Sequence, residues 1–161
     1  MALIERMIAG GKQAIVLIPE IALTYQTLLR FYLRFGDRVS VMNSRLSPGE
    51  RSDQYERAAK GEIDIMIGPR SALFTPFERL GLVIIDEEHE SSYKSETMPK
   101  FHAREVAQEL CRMKHASLLL GSATPSLESY YRARQGEIPL FTLNSRLTGG
   151  ELPRVYVEDL R

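Results

Sequence analysis

Short apolar runs alternate along the chain with longer segments in which apolar residues recur at helical spacing. The apolar runs predict five strands: Gln13–Ile18, Arg38–Met42, Ile63–Ile67, Leu82–Ile85 and Ser117–Leu120. The helical segments lie between and after them and cover Ile21–Phe35, Ser47–Lys60, Ala103–Lys114 and Pro125–Gln135. Strands that alternate with helices are typical of an α/β fold with a parallel sheet, and continuous apolar strands indicate burial on both faces of that sheet.

Weaker patterns follow toward the C-terminus. Leu140–Leu143 and Arg154–Val157 are predicted as two further short strands. Gly149 and Gly150 mark the end of the domain, so we expect one domain over residues 1–150 and a connector over residues 151–161.

Composition and charge narrow the possible functions. The chain has 161 residues, of which 43% are hydrophobic and 26% charged, a balance typical of a globular domain. Basic and acidic residues number 21 each, so any contact with nucleic acid has to come from a local patch. One cysteine and three widely separated histidines offer no set of zinc ligands. No apolar run is long enough to span a membrane, which favours the cytoplasm.

An acidic segment, Asp86-Glu87-Glu88-His89, directly follows the predicted strand Leu82–Ile85. Ligands of open parallel sheets collect at the carboxyl ends of the strands. There Asp86 has the place of an aspartate that holds Mg²⁺ on nucleotide phosphates, and Glu87 can polarise an attacking water. The alternative is a solvated acidic turn that binds nothing.

A second polar segment, Gly121–Thr124, follows the predicted strand Ser117–Leu120. We expect its hydroxyl groups, on Ser122 and Thr124, to hydrogen-bond the acidic segment and sense the state of a nucleotide. The alternative is that Thr124 only caps the next helix, which would then begin at Pro125. The two segments in this order, each after its own strand, look like motifs II and III of superfamily-two helicases.

Further stretches extend the likeness: PEIALT (19–24), IGPRSALF (67–74), SSYK (91–94) and GSATPSLE (121–128). Together with the acidic segment they resemble the family of the bacterial primosomal protein N′, a replication-restart DNA helicase, over about residues 10–161. The resemblance implies a RecA-like motor domain of the P-loop NTPase type that uses ATP and Mg²⁺. It also implies a parent protein that moves 3′ to 5′ on forked or single-stranded DNA in the bacterial cytoplasm and works with primosome proteins.

The resemblance also implies roles for individual residues. The catalytic residues of the DExH box would be Asp86, Glu87 and His89, with Asp86 and Glu87 at the nucleotide and Mg²⁺ held by Asp86 through the nucleotide. The residues that couple hydrolysis to movement would be Gly121, Ser122, Ala123 and Thr124. DNA contacts would come from motifs Ia and Ib and from an aromatic-rich loop, Tyr93–Arg104; the residues implied are Pro19, Glu20, Thr24, Arg70, Ser71, Tyr93, Lys94, Phe101 and Arg104.

The phosphate loop of such motors is absent from this sequence. No G-x-x-x-x-G-K-[ST] occurs, since Lys12 follows two glycines but precedes Gln13. We therefore expect a fragment that begins downstream of that loop and is nearly inert toward ATP by itself. We also expect that it either completes its sheet with its own C-terminal strand or self-associates with another copy. By the same resemblance, a second motor domain and a zinc-binding region belong to the parent outside this chain, so Zn²⁺ is a cofactor of the parent alone.

Two other functions remain open at this point. The chain could be a module that binds nucleic acid or a partner on a degenerate motor fold without ATPase activity. It could also be an unrelated α/β enzyme that uses Asp86 and Glu87 as a metal-binding pair.

Overall fold

The computed structural model describes residues 1–143 and residue 158. Residues Met1–Ser126 form one compact unit, and a second unit begins at Leu127. The expected domain end at residue 150 and the predicted strand Arg154–Val157 lie outside the described residues.

Strands and helices alternate through the described part of the chain. The strands are β1 (Gln13–Leu17), β2 (Val39–Val41), β3 (Ile65–Gly68), β4 (Leu80–Ile85) and β5 (Ser117–Leu120). The helices are α1 (Ala2–Ala9), α2 (Tyr25–Phe35), α3 (Pro48–Ala59), α4 (Ala103–Lys114) and α5 (Leu127–Arg134), of which α5 belongs to the second unit. None of these helices is long and apolar enough to cross a bilayer.

The five strands form one sheet in the order β2-β3-β1-β4-β5, and every pairing is parallel. β1 therefore lies at the centre, with Leu17 level with Gly68 on one side and with Ile85 on the other. Because the strands are parallel, all five carboxyl ends meet at one edge of the sheet. The residues that follow β1, β3, β4 and β5 are those in which the sequence predicts the functional groups.

Both faces of the sheet are covered, as the continuous apolar strands predict. Ile15, Leu17 and Val83 pack on one face with residues of α3 and α4. Val16 and Ile67 pack on the other face with residues of α1 and α2. Such burial on both faces is typical of α/β proteins, in which ligands bind at the carboxyl edge of the sheet.

Local side-chain chemistry sets the helix starts. Ser47 and Glu50 form the predicted capping box at α3: the Glu50 amide donates to Ser47 Oγ at 3.3 Å, and the Ser47 amide donates to Glu50 Oε2 at 2.7 Å. α2 begins at Tyr25 rather than Ile21, because Thr24 Oγ1 accepts from the Thr27 amide and caps the helix there.

One predicted strand is wrong. Leu140–Leu143 has an apolar pattern but forms no strand, and its three large apolar residues, Leu140, Phe141 and Leu143, are exposed. A short apolar run becomes a strand only where a neighbouring strand offers hydrogen-bond partners.

Candidate functional site

Backbone hydrogen bonds bring the acidic segment and the second polar segment side by side at the carboxyl edge. The Asp86 amide donates to Leu17 O at 2.9 Å, which extends the pairing of β4 with β1. The Gly121 amide donates to Ile85 O at 2.8 Å, and the Glu88 amide donates to Gly121 O at 3.0 Å. The two segments are thus fixed to each other by their backbones before any side chain contributes.

A side-chain contact joins the same two segments. His89 Nδ1 and Ser122 Oγ lie 2.8 Å apart, and Ser122 Oγ also accepts from the Thr124 amide at 3.0 Å. This is the hydrogen bond that the sequence predicts between a hydroxyl and the acidic segment, and Ser122 makes it. The two segments are thus joined by a side-chain hydrogen bond as well as by their backbones.

The carboxylates of Asp86 and Glu87 remain available to a ligand. Asp86 is exposed, and its Oδ1 accepts from the Glu87 amide at 3.1 Å. Glu87 is half-buried, and its Oε2 lies 3.7 Å from His89 Nδ1. Mg²⁺ takes one or two carboxylates and completes its shell with water and phosphate oxygens, so this donor set fits an ion that arrives with a nucleotide.

A family model described as DEAD/DEAH box helicase matches residues 1–133, which include both segments. The chain belongs to this family. The predicted resemblance to a helicase motor domain is thereby confirmed, and the matched range includes the acidic segment for which the resemblance implies a DExH box.

Curated relatives of this DEAD/DEAH box helicase chain share one printed name. The chain is 50% identical over 158 residues to replication restart protein PriA of Bacillus subtilis, and 46% identical over 156 residues to the protein of that name from Treponema pallidum. These matches cover 98% and 97% of the chain but only 20% and 24% of the relatives. The chain thus spans about a fifth to a quarter of the relatives' length.

A solved structure supports the fold. The C-terminal domain of S. cerevisiae Dbp5 matches with a TM-score of 0.50 and 14% identity, covering 84% of this chain and 78% of that domain. At this identity the likeness concerns the fold alone, and it agrees with the predicted RecA-like parallel sheet.

A second part of the site is a cleft of about 520 Å³ at the ends of β1 and β3. It brings together five of the residues implied as DNA contacts, namely Pro19, Glu20, Arg70, Ser71 and Tyr93. Thr24 does not line it, since its hydroxyl caps α2. Arg70 Nη1 donates to the carbonyl oxygens of Ser92 and Lys94, at 2.9 and 2.7 Å, and so ties the wall of the cleft to the following loop.

Three residues of the aromatic-rich loop that are implied as DNA contacts lie partly or wholly inside the protein. Tyr93 is only 1% exposed, so its ring cannot stack on a base in this conformation. Phe101 is half-buried and meets Phe74 edge-on, with ring centroids 5.4 Å apart. Arg104 is bonded to the buried Glu88, so its charge is directed into the protein. Lys94 stays exposed, with its Nζ 3.3 Å from Glu96 Oε1.

Sequence reasoning missed Glu88 and Ser126. Glu88 is 2% exposed and accepts hydrogen bonds from the Ser126 amide at 2.5 Å and from Ser126 Oγ and Arg104 Nη1 at 3.1 Å each. Nothing in the one-dimensional pattern separates Glu88 from the neighbouring Glu87. The nearest signal in the sequence is that Glu88 is a third carboxylate beside Asp86 and Glu87, and that Arg104, at the start of α4, is a cation that could pair with it.

Proposed function

We propose that this chain is part of the first motor domain of an ATP-dependent DNA helicase that acts in replication restart. The observation that carries the proposal is the joining of the DExH box to Ser122 at the ends of two adjacent strands, β4 and β5. The 50% identity to a replication restart protein over 98% of the chain supports the biological setting. Forked or single-stranded DNA would be the substrate, with movement 3′ to 5′, and primosome proteins would be the partners in a bacterial cytoplasm.

Each residue of the DExH box has a distinct part in this proposal. Asp86 would hold Mg²⁺ on the nucleotide, and the ion when bound neutralises phosphate charge. Glu87 would orient the attacking water. His89 would pass the state of this site to Ser122 through their hydrogen bond, and the rest of the second segment, Gly121, Ala123 and Thr124, would move with it.

DNA would lie along the cleft at the ends of β1 and β3. Pro19, Glu20, Arg70 and Ser71 line this cleft, and the exposed Lys94 lies in the segment whose backbone Arg70 binds. Backbone amides, hydroxyls and cations of this kind fix the phosphates of a strand without reading its bases.

Glu87→Gln in the whole protein tests the enzymatic part. The amide keeps the size of the side chain but loses the carboxylate, so we expect DNA-stimulated ATP turnover to fall by several orders of magnitude while ATP still binds. Glu62→Gln, the same change before β3 at the opposite edge, is the matched control and should keep normal turnover. Near-normal turnover in Glu87→Gln would favour a binding module on a motor fold instead.

The isolated chain would be nearly inert toward ATP, because it has no Gly-rich loop and lysine to hold the phosphates. Zn²⁺ would be needed only by other parts of the whole protein. Calorimetric titration of residues 1–161 with Mg-ATP should give no measurable heat of binding. Tight binding would mean that the phosphates lie elsewhere on this chain.

A further inference from the structure

The backbone of Glu87 has an unfavourable conformation. Its φ is +47°, in the left-handed region that residues with a Cβ atom rarely adopt. In the described part of the chain one other non-glycine residue, His115, has a positive φ, and it ends α4, where a left-handed residue is common. Glu87 ends no helix, so its neighbours must hold it in this conformation.

A buried tyrosine holds the residue before Glu87. Tyr93 Oη donates to the carbonyl oxygen of Asp86 at 2.7 Å. The ring of Tyr93 belongs to the hydrophobic core between the sheet and α4, so the hydroxyl has a fixed position. The bond acts on the peptide unit that joins Asp86 to Glu87, and rotation of that unit changes φ of Glu87.

A buried charge cluster holds the residue after Glu87. The carboxylate of Glu88 accepts from Arg104 Nη1 and from the amide and hydroxyl of Ser126. Arg104 Nη1 also donates to Ser126 Oγ at 2.6 Å, so the three residues bind one another. A carboxylate buried in this way cannot move without leaving its partners unsatisfied.

We propose that Tyr93 and Arg104 are positioning residues that hold Glu87 in its left-handed conformation. Neither residue needs to touch the nucleotide or DNA for this role. The consequence rests on the proposed function: Tyr93 and Arg104 set the position, relative to Asp86, of the Glu87 carboxylate that orients the water.

Amide hydrogen exchange in the 161-residue chain tests the structural part. The amides of Glu88 and Glu90 donate to Gly121 O and to Glu87 O, so they report on this turn. Tyr93→Phe should make both exchange about fivefold faster relative to the amides of β1, which corresponds to one lost hydrogen bond. Tyr55→Phe is the control, because Tyr55 Oη donates to Ser71 O at 3.1 Å, away from the turn. It should leave the ratio unchanged.

Arg104 is tested in the same way with two variants. Arg104→Met should speed exchange of Glu88 and Glu90 by about fivefold or more, since Glu88 loses a charged partner. Arg104→Lys keeps the charge on a shorter side chain and should restore part of the protection. If Arg104→Met does not fold, Arg104→Lys alone tests the role of Arg104. The Glu88 and Glu90 amides should then exchange faster than in the native chain and more slowly than in Tyr93→Phe.

Steady-state kinetics of the whole protein test the consequence. Tyr93→Phe should lower kcat for ATP at saturating DNA about fivefold and leave KM for Mg-ATP within about twofold, because alignment of Glu87 matters in the chemical step. Tyr55→Phe should change neither constant.

The outcomes separate this proposal from the proposed function. Unchanged exchange of Glu88 and Glu90 in Tyr93→Phe, or an equal change in Tyr55→Phe, would overturn the positioning role. Faster exchange with an unchanged kcat would show that the turn is held but that its conformation does not limit hydrolysis, which overturns the consequence. A native whole protein that hydrolyses no ATP would refute the proposed function, and the exchange experiment would still decide the positioning role.

Discussion

Three consecutive carboxylates after β4 have three different environments. Asp86 is exposed, Glu87 is half-buried in a left-handed conformation, and Glu88 is buried against Arg104 and Ser126. The backbone turn, and not the residue type, distributes them in this way. Two carboxylates are therefore available for chemistry, while the third fixes the turn that presents them.

The buried phenol of Tyr93 makes the folded state sensitive to alkaline pH. Burial raises the pKa of Tyr93, and the nearby carboxylates of Asp86, Glu90 and Glu87 raise it further. In the unfolded chain a tyrosine ionises near pH 10, so the stability linked to Tyr93 is fully present below pH 10. It is lost as the pH rises from there toward the folded-state pKa, by at most about 1.4 kcal/mol per pH unit.

Urea unfolding at pH 9, 10 and 11 measures this effect. Tyr93→Phe should reduce the loss of unfolding free energy between pH 10 and 11, whereas Tyr25→Phe, at an exposed position, should leave it unchanged. The same loss in Tyr93→Phe as in the native chain would contradict this prediction. Burial raises the pKa of Cys111 to about 11, so ionisation of this thiol also lowers the unfolding free energy as the pH rises. This contribution is the same in both variants.

At the scale of elements, the sequence predicted those strands and helix ends that depend on residues close together in the chain. The five strands of the sheet and the capping box at Ser47 follow from apolar periodicity and from the spacing of Ser47 and Glu50. Leu140–Leu143 could not be predicted correctly, because its pattern is that of a strand and only the presence of a partner strand decides the outcome. The burial of Tyr93 and the bond of Arg104 to the buried Glu88 could not be predicted either, since an aromatic residue among cations is as typical of a DNA-binding loop as of a buried anchor.

Gly68, the last residue of β3, has no room for a side chain. A Cβ atom there would lie 2.4 Å from Met42 O and 2.9 Å from Met42 Cβ, and a backbone oxygen cannot move away cheaply. We expect Gly68→Ala to lower the unfolding free energy by about 1–3 kcal/mol, the usual cost of overpacking.

Gly49 in α3 provides the matched control for Gly68. A Cβ atom at Gly49 would meet nothing within 4 Å, so Gly49→Ala should stabilise the helix by up to about 1 kcal/mol. Chemical denaturation of both variants measures the difference. Equal effects of the two substitutions would show that the approach of Met42 to β3 is not a constraint.

At the scale of the whole molecule, β5 is an edge strand of the sheet that the structure describes. Among the described residues no strand pairs with β5 on the side away from β4. A strand with free amide and carbonyl groups is a template for another strand. Apolar periodicity alone does not locate this edge, because the order of parallel strands depends on contacts between residues far apart in the chain.

The edge strand β5 predicts self-association of the isolated chain. Sedimentation at about 100 μM should show dimers or larger species, since edge pairing becomes significant at high concentration. Ser117→Lys places a charge on β5 and should shift the equilibrium toward the monomer. Ser52→Lys adds the same charge on the exposed face of α3 and should have no effect. A native chain that stays monomeric, or equal shifts in the two variants, would exclude pairing through β5.

The central position of β1 has a consequence for synthesis of the chain on the ribosome. β1 pairs with β3 and β4, whose residues lie about 50 and 70 positions later, so it emerges long before either partner exists. At about 5–20 residues per second, the five apolar or buried residues of β1 wait roughly 3–14 seconds for β4 to be made. During that interval β1, which later lies at the centre of the sheet, lacks both strands that cover its backbone in the folded domain.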